Sequence, residues 1–338
     1  MVERGTENPC VGGSTPPLGT NKEKNSKQKV FIAVDIGGTK TEVAIGEERV
    51  EKFKVIPTPA EFENFLSSLF LLIERVGKGK KIKAIGISAP GPLDPVKGLI
   101  FPSPNLKWKE AKIKEVLEKR FTLPVFLEND ANLAGLGECF QGAGKGADSV
   151  FYITVSTGIG GAFILQGKIY QGASFDAGEI GHTVVLDNGP RCNCGRKGCL
   201  EALSSGTAIA KRAKRGLKRY PHSLIWQLVE NRKELVDAQV VVKAVRAGDE
   251  FACKIWEESC RFLALGVANM ISLLNPQKVI IGGGISKAGE ILFRPLRKMV
   301  KEIGWKRAVR YCRIEKAKLR NPAIVGALVY AKSKLSSS

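Results

Sequence analysis

Two stretches decide how this chain is read: FIAVDIGGTKTEVAIG, from Phe31 to Gly46, and FYITVSTGIGGAFILQ, from Phe151 to Gln166. Each is an apolar β-rich run, a polar residue, a Gly-rich bend and a second apolar run. That order predicts strand, tight turn and returning strand. One copy opens the folded part of the chain and the other restarts the pattern near its middle, so the layout predicts two similar α/β halves with a cleft between them. The 338 residues suffice for two units, since single cores stop growing near ~250–300 residues.

Working outward from the first copy, RVEKFKVI predicts a third strand. FENFLSSLFLLIERVG then sets Phe62, Phe65, Leu66, Leu69, Phe70, Ile73 and Val76 on one helical stripe. IKAIGIS reads as a strand, WKEAKIKEVLEKRF as a helix, LPVFLEN as a strand and DANLAGLGECFQG as a helix. After the second copy come helices at Ser205–Leu217 and Asp249–Leu274, a strand in KVIIGGG, and a last helix after Asn321-Pro322. Such an order argues for mixed sheets with helices packed on them. Residues 1–28 are rich in Gly, Pro, Ser, Thr, Asn and Lys and are expected to be a disordered tail.

Composition narrows the function classes. No apolar run reaches the ~18 residues of a bilayer span, and the N-terminus has no apolar signal-peptide core; a cytoplasmic protein is expected, without a membrane partner. A formal net charge of +20 is what a nucleic-acid binder often carries. Here the cations are spread over many segments and interleave with apolar residues at helical spacing, so they read as solvated helix faces and nucleic acid is not an expected partner.

Five motifs carry chemistry. Asp35 ends a strand and leads into Gly37, Gly38, Thr39 and Lys40. Glycines let backbone N–H groups approach phosphate oxygens, and an aspartate there can hold Mg²⁺; an ordinary hairpin turn is the plain alternative. Ser156, Thr157, Gly158 and Gly160 repeat that chemistry in the second half. Gly282, Gly283 and Gly284 end a strand and open a helix, where a flat nucleoside can lie against the backbone. At Glu128-Asn129-Asp130 a strand tip enters a helix: Asn129 offers a donor and an acceptor to a sugar hydroxyl, and Asp130 is the group to take a proton from an alcohol. Taken alone, the residues favour Asp130 as the helix cap. Lastly, His182, Cys192, Cys194 and Cys199 fall within eighteen residues. In a reducing compartment such a cluster is a metal site rather than disulfides, and Cys₃His is a closed, structural Zn²⁺ set.

Together DIGGTK, END, GEIGH, CNCGRKGCLE, GGGIS and NPAIVGAL resemble the ROK family (repressors, open reading frames, kinases) over residues 29–334. The resemblance implies an actin-like α/β fold of two domains: a smaller one from 29–140 plus 321–334, and a larger one from 141–320 with a zinc-binding segment at 182–199. It implies an ATP- and Mg²⁺-dependent sugar kinase working on a hexose 6-hydroxyl, with glucose favoured over fructose and N-acetylhexosamines, and a homodimer. Asp130 would then be the general base. Asn129, Glu179, His182 and Glu201, with Gly91 and Asn105 nearby, would hold the sugar, and His182 would also ligate zinc. Metal loss is expected to weaken sugar binding more than ATP binding, because the phosphate turns lie elsewhere in the chain. Ser156 and Ala162 depart from the family's usual GTGIGGG. The family's regulators carry a winged-helix unit before DIGGT; only 34 polar-rich residues precede Asp35, which favours a kinase over a sugar-sensing regulator.

Overall fold

The computed structural model describes residues 29–47, 49–103 and 106–337. The predicted tail and Asn105 lie outside them.

Two five-stranded sheets share one plan. The first is built from β1 (Val30–Ile36), β2 (Lys40–Gly46), β3 (Val50–Pro57), β4 (Ile82–Ala89) and β7 (Val125–Asn129), ordered β3-β2-β1-β4-β7. The second uses β8 (Ser149–Val155), β9 (Ile159–Leu165), β10 (Lys168–Ile169), β11 (Lys278–Gly282) and β12 (Arg313–Lys316), ordered β10-β9-β8-β11-β12. In each, an antiparallel hairpin continues into parallel strands on the far side of its first strand. The duplication read from two hairpins thus extends to whole sheets. A short ribbon of β5 (Leu93–Asp94) and β6 (Leu99–Ile100) stands apart.

The strands β1, β2, β4, β8 and β11 are covered on both faces, which is why they are nearly continuous apolar runs, whereas the edge strands β3 and β12 are exposed or half-buried. Val30, Ile32, Val34 and Ile36 of β1 pack with α1 (Phe62–Gly77) and α2 (Ile113–Phe121). On the second sheet, Phe151, Ile153 and Val155 pack against the core of α5 (Gly206–Gly216), α7 (Ala238–Arg246), α8 (Glu250–Leu274) and α9 (Glu290–Ile303). The short helices α4 (Leu200–Ser204), α6 (Leu224–Leu228) and α10 (Lys306–Tyr311) complete that half.

Between the sheets lie α3 (Asp130–Gln141) and α11 (Pro322–Ser337), sharing one core with Phe31, Ala33, Val150 and Tyr152. The helices are exchanged. α3 follows a strand of the first sheet but lies on β8 and β9; α11 follows β12 but lies on β1 and β4. Glycines permit the close crossing: a Cβ on Gly326 would fall 1.8 Å from the Leu133 carbonyl oxygen, and one on Gly137 would fall 2.2 Å from that of Pro322. Ala162, the departure in the second hairpin, is fully buried and faces Gly135 of α3, whose missing side chain leaves it room.

Three local readings change. The helix expected from Trp108 begins only at Ile113, because Trp108 is buried against Phe62 and Phe65 and its indole N–H donates to the Pro59 carbonyl (3.3 Å), while Ala111 bridges to Ile100. On α1, Leu72 joins the core, whereas Phe62 and Phe70 are only half-buried. The strand in KVIIGGG stops at Gly282, and a 3₁₀ turn at Ile285–Ala288 precedes α9. No helix among the described residues is long and apolar enough to cross a membrane.

Candidate active site and metal centre

The tip of α3 differs from the reading of its residues alone. Asn129, not Asp130, is the N-cap: its Oδ1 accepts from the N–H of Ala131 (2.9 Å) and of Asn132 (3.3 Å). Both types cap well, so the residues could not say which does. Capping consumes the Asn129 acceptor and leaves its Nδ2 donor, which lies 3.5 Å from where a Cβ on Gly91 would sit. Asp130 becomes the first helical residue, exposed at the tip, with Oδ1 accepting from the Ala131 N–H at 2.7 Å. Although it meets solvent, the protein massed around it disfavours its charged form. With the negative charge of Glu179 adding to this, its carboxyl is pushed up to about 6.

Glu128, to which sequence reasoning assigns no role, fixes this tip. It is 1% exposed and accepts from the Asn129 N–H (2.8 Å), Asn132 Nδ2 (2.9 Å) and Gln171 Nε2 (2.6 Å), the last from beyond β10 of the second sheet.

Asp35 accepts from Ser88 Oγ at 2.5 Å; burial above all, then the negative charge of Asp130, pushes its carboxyl up to about 7. The first Gly-rich turn follows directly. Gly37 N–H donates to the Lys40 carbonyl (2.9 Å), Thr58 Oγ1 to that of Gly37 (2.7 Å) and Thr58 N–H to that of Thr39 (3.0 Å), while Gly38, Thr39 and Lys40 are exposed. The Lys40 ammonium rests on Glu42 (2.5 Å), whose other oxygen accepts from Asn321 Nδ2 (2.9 Å).

The second turn closes through Ser156 N–H to the Gly158 carbonyl (2.9 Å), with Thr157 exposed. Gly160 lies beside Ala131 of the α3 tip, so this turn and Asp130 are neighbours. Gly283 holds φ +81° with its backbone pressed on the end of β8, where a Cβ would fall 2.4 Å from the Val155 carbonyl oxygen; Gly284 sits beside Ser156. The three Gly-rich motifs therefore gather near one helix tip.

His182, Cys192, Cys194 and Cys199 also come together. Cys192 Sγ is 3.7 Å from His182 Nδ1, Cys194 Sγ is 3.7 Å from Cys199 Sγ, and all four donor atoms lie within 4.8 Å of one another. Tetrahedral zinc with ~2.3 Å Zn–S bonds requires S···S separations of ~3.8 Å, so the donor set fits that ion. The other His182 nitrogen, Nε2, faces Glu179 at 3.9 Å. Glu201 was expected at the sugar. Here its Oε2 accepts from the Ile159 N–H (2.9 Å) in the second Gly-rich turn, and its Oε1 lies 3.8 Å from Cys192 Sγ. It joins the cysteine loop to that turn.

The sequence model of the ROK family matches residues 31–334. This chain belongs to the ROK family. A glucokinase of Thermotoga maritima is 41% identical over 275 residues, covering 80% of this chain and 86% of that one. The crystal structure of a Streptomyces griseus ROK-family glucokinase in complex with glucose and AMPPNP superposes with a TM-score of 0.77 at 32% identity, covering 90% of this chain and 99% of that one. A xylose repressor of Caldicellulosiruptor bescii is 30% identical, over 96% of this chain and 82% of its own length. The fold is the actin-like architecture of the ROK kinases.

Proposed function

We infer that this ROK-family chain is an ATP-dependent hexose kinase that phosphorylates a 6-hydroxyl, with glucose as first candidate. The observation that carries this reading is the division of work at the tip of α3. Asn129 caps the helix, so Asp130 is left to accept a proton, with a carboxyl pushed up to about 6, near the operating range of a general base. The kinase relatives agree in class.

Catalysis of this kind is positioning and charge stabilisation. The Asn129 Nδ2 donor, Glu179 and the His182 Nε2 edge orient sugar hydroxyls, and Asp130 takes the 6-hydroxyl proton as the oxygen attacks the γ-phosphorus. The turns at 37–40 and 157–160 face the phosphates through backbone N–H groups other than those of Gly37 and Ile159, which are paired within the protein, and Gly283 and Gly284 leave a flat surface for the nucleoside. Mg²⁺ carried in with ATP, beside Asp35, supplies charge neutralisation on the phosphates. Zinc bound by His182 and the three cysteines supplies rigidity to the loop from Glu179 to Glu201. In this reading residues 29–140 with 321–334 form a smaller domain that closes on 141–320, excluding water from the transfer, in a cytoplasmic homodimer.

A coupled ADP-release assay across glucose, fructose, mannose, N-acetylglucosamine and N-acetylmannosamine tests this; turnover with none of them would overturn it. The repressor relative supports a second reading, a sugar-sensing regulator, which predicts sugar binding without ADP release.

A further inference from the structure

Glu138 is a charged residue with no place in the proposed chemistry, and it is 0% exposed. A buried carboxylate is retained only where its oxygens are well satisfied. Here every partner is a backbone N–H. Oε2 accepts from Ala143 at 2.7 Å; Oε1 accepts from Lys318 at 3.0 Å and Leu319 at 2.7 Å.

Those partners lie on two different connections. Residues 142–148 lead from α3 to β8, and residues 317–321 lead from β12 to α11. They are the links that join the two central helices to the second sheet. One carboxylate therefore pins both at a single point. Gly142 makes room for it, since a Cβ there would fall 1.9 Å from Glu138 Oε2. The first connection is also held from the other side, by Lys278 Nζ donating to the Ala143 carbonyl at 2.7 Å.

Asp130 lies at the opposite end of the same helix. Eight residues at 1.5 Å each place it ~12 Å from Glu138. A turn of ~5° about the pin moves a point at that radius by ~1 Å, and a misplacement of ~1 Å can cost ~10²-fold in rate.

We propose that Glu138 is a positioning residue that holds both links to the second sheet, so that α3, seated on β8 and β9, keeps its Asp130 end in register with the second phosphate turn. The proposal rests on the kinase reading for its effect on rate, but the pin itself is measurable without it.

The test uses the full-length protein and Glu138→Gln, whose neutral amide weakens the bonds to both connections, since Oε2 alone accepts from Ala143 (2.7 Å) and Lys318 (3.2 Å), and replaces one acceptor oxygen by a donor. Leu296→Ala, buried in the core of α9 and outside the Glu138 hydrogen bonds, is the control, with assays run well below each variant's Tm. Hydrogen exchange should quicken in 142–148 and 317–321 together, while β1 and β8 keep wild-type protection. Turnover of Glu138→Gln should fall ~10–100-fold, further than its glucose Kd rises, whereas Leu296→Ala keeps turnover within about threefold for a comparable loss of Tm. Should Glu138→Gln fail to fold, Gly142→Ala displaces the carboxylate by contact and should show the same two effects more weakly. Faster exchange in one connection only, or throughout the chain, would overturn the pin. So would turnover no lower than that of the control. If wild-type protein phosphorylates no hexose, the kinase reading falls, and the paired exchange result still decides whether Glu138 joins the two links.

Discussion

Removing the metal should disturb ATP as well as sugar, contrary to what the spacing of motifs along the chain suggests. Cys194→Ala deletes one of four donors and leaves three, which cannot close a structural zinc tetrahedron. Two groups then lose their anchor. His182 is freed to turn away from Glu179, and Glu201 is no longer held beside Cys192. Glu201 gives a charged acceptor to the Ile159 N–H at 2.9 Å, and such a bond is worth ~1.5–3 kcal/mol. If metal loss frees Glu201, AMPPNP affinity should fall by up to ~10–100-fold, as 1.4 kcal/mol is about one decade. Glu201→Gln, with zinc retained, should reproduce the nucleotide effect at the low end of that range. Elemental analysis gives the zinc content, ~1 per chain in the wild type and none in Cys194→Ala, and titration calorimetry gives both affinities. A zinc-free variant that binds glucose and AMPPNP with wild-type affinities would refute the coupling.

Three further outcomes are expected. The Asp130 carboxyl, with its pKa raised to about 6, must be ionised to act, so kcat/KM for sugar should fall about tenfold per pH unit below that value; a flat profile to pH 5 would contradict it. The same raised pKa means that ionised Asp130 opposes folding as pH rises through about 6, so at pH 8 Asp130→Asn should melt no lower than wild type in differential scanning calorimetry. Gly326→Ala places a methyl 1.8 Å from the Leu133 carbonyl oxygen, forcing apart the two central helices, and should cost ~1–3 kcal/mol or more in chemical denaturation.

Much of this architecture was legible because local pattern and tertiary role agree. The hairpins at Phe31–Gly46 and Phe151–Gln166 are apolar runs broken by a Gly-rich bend, buried almost throughout in their sheets, and the Cys₃His cluster is short-range and chemically unambiguous. What stayed hidden depends on long-range geometry. The exchange of α3 and α11 turns on contacts of Gly137, Gly326 and Gly86 with distant backbone, which no window of sequence displays. Whether Asn129 or Asp130 caps depends on a helix start that differs by one residue, and both side chains suit the place. Lys40 is expected among phosphates, and its ammonium lies on Glu42, a partner two residues along a strand whose carboxylate is anchored by Asn321. Glu201 is set on the second Gly-rich turn by the fold of the cysteine loop rather than by anything adjacent in the chain.

The central claim is that Asp130 is a base and not a structural aspartate. The direct measurement is turnover of Asp130→Asn with glucose and MgATP, alongside its glucose affinity by calorimetry. Asparagine keeps the size and removes the proton acceptor. Turnover should fall ~10²–10⁴-fold while glucose Kd stays within a few-fold of wild type. Turnover within about threefold of wild type, with sugar binding intact, would show that the proton leaves by another route and would contradict the assignment.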